Sequence, residues 1–286
     1  MIKAFPGPVL QNRRFNGMLF VLKRRNTMEK FTITKDNGRR IPVLREIPQE
    51  ADAVVIMVHG FTSCKECATG ELLLRRMPAE GIGVVLYDQP GHGTEEAAEE
   101  PFRIRNCMDS LAAVEDYVVR NYPGKKIFYF ASSYGAYLTG LYICRRPHAG
   151  SRLMMRSGAV IMPWLFLGAP GSEPDPASLA ELNEKGFLMM GLPCAPQIRV
   201  PKGMFEDMGR PENDLLHRFG GYDHGGTEVA MVHGEKDPVI PVRFAREFAE
   251  ENGIPITVFE GQGHSLNDDP DCPDRVADLA IDFFRV

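Results

Sequence analysis

The chain has 286 residues, 44% hydrophobic and 25% charged, enough for one large core and within the usual size of a one-domain α/β enzyme. A formal net charge of -5 excludes a broad basic field of the kind that gathers nucleic acid or an anionic membrane surface. Six cysteines (Cys64, Cys67, Cys107, Cys144, Cys194, Cys272) scattered through a chain of this size require no disulfide framework and fit a reducing cytoplasm.

Residues 1–27 carry Lys3, Arg13, Arg14, Lys23, Arg24 and Arg25 with no acid. Their longest apolar run, Met18 to Leu22, is too short for a signal sequence or a membrane span. The segment reads as a basic N-terminal extension or an upstream start, because Met28-Glu-Lys-Phe-Thr-Ile-Thr looks like the natural opening of a first strand. Phe31 to Thr34 and Ile41 to Ile47 then flank Lys35-Asp-Asn-Gly38, whose Asn-Gly favours a hairpin turn. Apolar runs without alternation follow at 54–58, 84–87, 127–130, 160–167, 229–232 and 256–259, as expected of strands buried on both faces of a parallel sheet. Between them the spacing predicts helices over about 66–79, 106–121, 134–146, 241–252 and 273–285, the fourth with Phe244, Ala245, Phe248 and Ala249 on one face. Alternating strand and helix implies βαβ units with ligand chemistry at the carboxyl ends of the strands. The stretch from about 163 to 226, rich in Pro, Gly and Met, interrupts this rhythm and reads as an inserted lid, giving a domain over 28–286. Seven of the 14 methionines lie between Met154 and Met208, and thioethers suit adaptable apolar walls, so Met162, Trp164 and Met189 are candidate substrate contacts beside the plainer reading of lid core.

Ile127 to Ala136 is a buried strand entering a helix through a tight turn, the setting of a strained nucleophile. Two serines compete there. A nucleophile on such a turn needs small neighbours two places away on each side; Ser133 has Ala131 and Gly135, whereas Ser132 has Phe130 and Tyr134. A serine hydroxyl needs a histidine to take its proton and an acid to orient that histidine. His264, in Glu260-Gly-Gln-Gly-His, follows one late strand and Asp237, in His233-Gly-Glu-Lys-Asp-Pro, follows the strand before it. Glu235 is a weaker rival to Asp237, which also fits a helix N-cap, and His59, His92, His148, His217, His224 and His233 are weaker rivals to His264. Backbone N-H groups of Phe61, in His59-Gly-Phe, and of Tyr134 are placed to receive an oxyanion. Asp88-Gln-Pro-Gly-His-Gly93 reads as a structural turn, and Cys64/Cys67 lacks the second CxxC or CxxH that a zinc shell needs.

His59-Gly-Phe, Asp88-Gln-Pro-Gly-His-Gly, Ser133 in its turn, Gly234-Glu-Lys-Asp237-Pro and Gly263-His264 together resemble the α/β-hydrolase superfamily over roughly residues 31–286. Within the superfamily the set looks like the lidded bacterial esterases that include cinnamoyl and feruloyl esterases, and is also similar to monoacylglycerol lipases and the serine aminopeptidase S33 group. The resemblance implies an α/β-hydrolase fold, a mostly parallel central sheet flanked by helices with an inserted lid. It assigns Ser133, Asp237 and His264 to a triad and Phe61 and Tyr134 to the oxyanion hole; Ala131 departs from the usual glycine of the turn. The implied activity is serine carboxylester hydrolysis of a small to medium acyl or aromatic ester, without metal or organic cofactor. A thioesterase or a small-peptide or amide hydrolase is the alternative on the same triad, and a non-catalytic hydrolase-like binding protein is the alternative of another class. The expected partner is a small-molecule ester, with no nucleic acid and no membrane span; the oligomeric state is open, a homodimer being one option.

Overall fold

In the computed structural model the described residues are 28–192 and 196–285, so the reading of 1–27 as an extension lies outside them. Ten strands and ten α-helices follow in the order β1 (Glu29–Thr34), β2 (Arg40–Glu46), β3 (Ala53–Val58), α1 (Ala68–Arg76), β4 (Ile82–Tyr87), α2 (Glu95–Ala98), α3 (Ile104–Asn121), β5 (Lys126–Ser132), α4 (Tyr134–Arg145), β6 (Gly150–Arg156), α5 (Met162–Leu167), α6 (Pro176–Lys185), β7 (Phe187–Met190), β8 (Ile198–Pro201), α7 (Lys202–Met208), α8 (Leu215–Arg218), β9 (Glu228–Gly234), α9 (Val242–Glu251), β10 (Ile256–Phe259) and α10 (Cys272–Phe284).

Eight strands form one sheet in the order β1-β2-β4-β3-β5-β6-β9-β10. β2 pairs antiparallel with both its neighbours and every other pairing is parallel. β3 shows why its apolar run does not alternate: Val54, Ile56 and Val58 face one core while Val55 and Met57 face the other, and all are buried. The first core is closed by α3, α4 and α9, through residues such as Leu111, Leu138 and Phe248, and the second by α1 and α10 through Leu73, Val276 and Ala280. The expected face of α9 is present, with Ala245, Phe248 and Ala249 buried.

From β3 the chain crosses to β4 on one side and then to β5 on the other, so the carboxyl ends of β3 and β5 open a crevice at the point where strand order reverses. Open parallel sheets bind ligands in that position because the outgoing loops diverge there.

One expected strand is misplaced. The run 160–167 is not a strand: Gly150–Arg156 fills that place between β5 and β9, and Met162–Leu167 is the short helix α5, opened by Pro163 in its first turn. Three arginine and serine side chains disguise β6, namely Ser151, Arg152 and Arg156. Arg152 lies over the Phe128 ring at 5.3 Å and donates to the carbonyls of Phe283 and Arg285, so its aliphatic stem covers the sheet while its charge reaches out. The excursion expected from about 163 therefore departs earlier, directly after Arg156, and runs until Glu228; it carries α5 to α8 and the antiparallel pair β7-β8.

Candidate active site

Ser133 sits between β5 and α4 with φ 51° and ψ -116°, a left-handed conformation that a side chain other than glycine enters only under constraint. The constraint is visible. Its N-H donates to the Arg156 carbonyl at 2.9 Å, and its own carbonyl accepts from the N-H groups of Ala136 and Ala159. Gly135 permits the turn, since a Cβ there would stand 2.2 Å from the Val58 carbonyl oxygen. Ala131 is fully buried opposite Val58, so alanine still leaves room for strand and helix to converge.

The His264 loop brings the imidazole back over this turn. His264 Nε2 lies 2.9 Å from Ser133 Oγ, and Nδ1 lies 2.7 Å from Asp237 Oδ2. With Nδ1-H donating to the carboxylate, Nε2 is left to accept the serine proton. Asp237 is held in turn: Oδ1 accepts from the N-H groups of Val239 and Ile240 at 2.8 and 2.9 Å, and His233 Nε2 stands 3.3 Å from Oδ2 while donating to the Ile240 carbonyl. Burial pushes the Asp237 carboxyl up, but the hydrogen bonds from His233, His264 and the Ile240 N-H outweigh it and hold the group well below the usual carboxylate range. Gly234 lets the two loops abut, because a Cβ there would meet the Gly263 carbonyl at 2.3 Å.

The rivals are placed elsewhere. Ser132 Oγ accepts from Arg156 Nη1 at 2.9 Å, and Glu235 accepts from the Gly261 N-H. His148 contacts Thr227, His217 pairs with Asp214, and His224 reaches the Phe219 carbonyl. His59 and His92 are fully buried beneath the site; desolvation lowers them from the ordinary histidine value to about 4 and about 3 respectively.

The loop 59–61 closes the site from the β3 side. Gly60 borders Ser133, a Cβ there lying 3.2 Å from Ser133 Cβ, and neither Phe61 N-H nor Tyr134 N-H donates to another protein group among the described residues. Tyr134 opens α4, so its amide is one of the unpaired donors of a helix start. The turn at 88–93 supports this loop: the Gln89 N-H donates to His59 Nε2, its side-chain amide donates to the His59 carbonyl at 2.6 Å, and His59 Nδ1 lies 2.9 Å from the Gly60 carbonyl. Asp88 accepts from both the backbone and the ammonium of Lys65, each at 2.8 Å.

A cavity of about 290 Å³ opens beside Ser133 and His264, with Leu72, Phe130 and Val276 on its apolar wall and Ser132, Arg156 and Asn267 on its polar wall. Met162, Trp164 and Met189 do not line it. Met162 is buried in the core, Trp164 packs edge-on against Phe244 at 5.2 Å, and Met189 is 47% exposed on β7. Of the seven methionines between 154 and 208, Met154 and Met155 lie on β6 and the other five on the excursion, and none lines the cavity. Arg156 and the supporting role of His233 are not legible from the sequence; Arg156 stands in the strand that the apolar pattern misses.

A model of the alpha/beta hydrolase family matches residues 55–279. The chain belongs to the alpha/beta hydrolase family. No curated protein matches this hydrolase in sequence. Among solved structures it is similar to a putative hydrolase from Agrobacterium vitis S4, at 19% identity and a TM-score of 0.71, covering 90% of this chain and 98% of that one. It is also similar to Est1E from Butyrivibrio proteoclasticus with ferulic acid bound, at 17% identity and a TM-score of 0.70, covering 88% and 97%. Alpha/beta hydrolase domain-containing protein 10 from mouse gives 14% identity and a TM-score of 0.66, covering 89% and 97%. These likenesses show the same fold. Among the described residues of this hydrolase no helix is long and apolar enough to cross a membrane, and no three His, Cys, Asp or Glu side chains gather as a metal shell.

Proposed function

We propose that this hydrolase cleaves a carboxylic ester of a small to medium acyl or aromatic acid through an acyl-enzyme on Ser133. The observation that carries the reading is the continuous relay from Ser133 Oγ through His264 to Asp237, with both contacts inside hydrogen-bond distance. Ser133 attacks the ester carbonyl as His264 Nε2 takes its proton, and the buried Asp237 carboxylate stabilises the imidazolium. The N-H groups of Phe61 and Tyr134 receive the oxyanion, His264 returns the proton to the departing alcohol, and water then releases the acid by the same steps. Stabilisation of that kind is worth about 3 to 4 kcal/mol per donor in characterised hydrolases.

A cavity of about 290 Å³ lies at the small end of ligand pockets and suits a short chain or one aromatic ring. The esterase structures with this fold, and the ferulic acid in Est1E, support the substrate class. The excursion between β6 and β9 serves as a lid over the site: Phe166 of α5 packs edge-on against Phe61 at 5.7 Å, which couples its position to the oxyanion loop. The enzyme works in a reducing cytoplasm, in keeping with the free thiols of Cys64, Cys67, Cys107, Cys144 and Cys272.

The test is hydrolysis of p-nitrophenyl esters from acetate to decanoate, together with methyl ferulate, by wild type and by Ser133→Ala. The reading expects an optimum among the shorter acyl groups and loss of turnover in the variant. Full activity of the variant, or none in either protein, would overturn it.

A further inference from the structure

Among the described residues the cavity beside Ser133 holds a cation with no carboxylate partner. Arg156 ends β6 on the polar wall, and among the described residues it and His264 are the only basic side chains of a lining that contains no carboxylate. No carboxylate pairs with it among the described residues; Asp237, the carboxylate of the site, is occupied by His264 and His233. Desolvation lowers the affinity of its guanidinium for the proton, and only Cys67, Cys272 and Asp237 act against that. Its partly buried counterparts are answered differently: Arg103 holds Asp207 through two hydrogen bonds of 2.7 Å, and Arg45 holds Glu29.

Arg156 does have a scaffolding task. Nη1 donates to Ser132 Oγ at 2.9 Å and Nη2 donates to the Ser265 carbonyl, so it ties the residue before Ser133 to the residue after His264. That task uses two of five N-H donors and needs no charge. A neutral donor of similar reach would hold both oxygens without placing a half-buried, unpaired cation beside them. Arg156 borders the cavity, and its planar guanidinium fork is matched to carboxylate and phosphate oxygens.

We propose that the cavity takes a substrate carrying an anionic group, a carboxylate or a phosphate, which Arg156 binds while the apolar wall of Leu72, Phe130 and Val276 covers the stem joining that group to the scissile carbonyl. The proposal rests on the esterase reading above and narrows its substrate class to acidic esters. Both anions share the required chemistry, so the experiment separates them.

Three matched substrates are compared: p-nitrophenyl hexanoate, the mono-p-nitrophenyl ester of adipic acid, and its analogue with a phosphonate in place of the distal carboxylate. For each of wild type, Arg156→Lys and Arg156→Gln the measurement is the ratio of kcat/KM for the anionic ester to that for the hexanoate. Taking the ratio within one protein cancels any loss of folded enzyme. The expected wild-type ratio is about tenfold or more for at least one anion, expressed mainly in KM, in line with a charge-assisted hydrogen bond. It should fall to about one in Arg156→Gln and survive in part in Arg156→Lys. The larger ratio identifies carboxylate or phosphate as the natural group. A wild-type ratio of one or less for both anions, or a ratio that persists in Arg156→Gln, would overturn the proposal while leaving the esterase reading intact. If wild type cleaves none of the three, the esterase reading fails, and calorimetric titration with adipic acid monoamide against hexanamide decides the anion site alone. Tighter binding of the acid, lost in Arg156→Gln, supports the site, and equal binding removes it.

Discussion

At Asp237 a carboxylate with no solvent access stays ionised because four donors converge on it: two backbone N-H groups from its own turn and the rings of His233 and His264. Its replacement Asp237→Asn keeps the volume but cannot accept from His264 Nδ1-H and hold that tautomer in the same way. The expected result is a fall in kcat of about 10³- to 10⁴-fold, read from steady-state hydrolysis of the best p-nitrophenyl ester, with binding of substrate largely retained. At this scale the sequence carried the choice of Ser133 over Ser132 on the size of the neighbouring residues, and the structure gives Ser132 another occupation, as acceptor for Arg156. Arg156 itself was not legible. Nothing in Met154-Met155-Arg156-Ser157 says that the guanidinium turns toward Ser133, because that depends on β6 lying beside β5.

The turn from β5 into α4 and the helix α9 show what a single element contributes. Gly135 passes so close to the end of β3 that Gly135→Ala must push strand and helix apart, at a cost of about 1 to 3 kcal/mol or more. Urea unfolding would read this as a lower midpoint, together with lost activity as Ser133 moves from His264. Phe248 of α9 is fully buried against Phe219 at 5.0 Å, and Phe248→Ala should cost about 3 to 5 kcal/mol by the same measurement, with the active-site distances unaffected. Helices such as α9 were legible because a helical face repeats every three to four residues and the polar face is left to solvent. Strands buried on both faces were legible as apolar runs, and β6 was not, because its arginines send charge past the sheet while their stems pack on it. The run 160–167 has a strand's composition, but Pro163 fits the first turn of a helix and the chain leaves the sheet there.

Across the whole molecule, Ser133, Asp237 and His264 come from three different loops and meet because all three leave the carboxyl ends of parallel strands. That order was readable from the alternation of elements, while the size of the cavity depends on how α1 and α10 pack across the sheet and the place of its cation on β6 lying beside β5. The buried histidines beneath the site set the response to acid. His59 and His92 titrate near about 4 and about 3 when folded, against about 6.5 for an unfolded histidine, so the unfolded chain binds more protons below that value. Their contribution to stability is complete above about pH 6.5 and is lost progressively as the pH falls to about 4 for His59 and about 3 for His92, at up to about 1.4 kcal/mol per pH unit for each. Glu115, whose carboxyl is pushed up by burial, acts in the opposite sense in the carboxylate range. Comparison of His92→Gln with wild type isolates the histidine part: the urea midpoint of wild type should drop between pH 7 and pH 4, and that of the variant should drop less steeply.

The measurement closest to the central claim is reaction of the intact protein with a fluorophosphonate, followed by peptide mapping of the adduct by mass spectrometry. One adduct per chain is expected, on Ser133, absent in Ser133→Ala and slowed by about 10³-fold or more in His264→Ala. An adduct on any other residue, or none in folded wild-type protein, would contradict that claim.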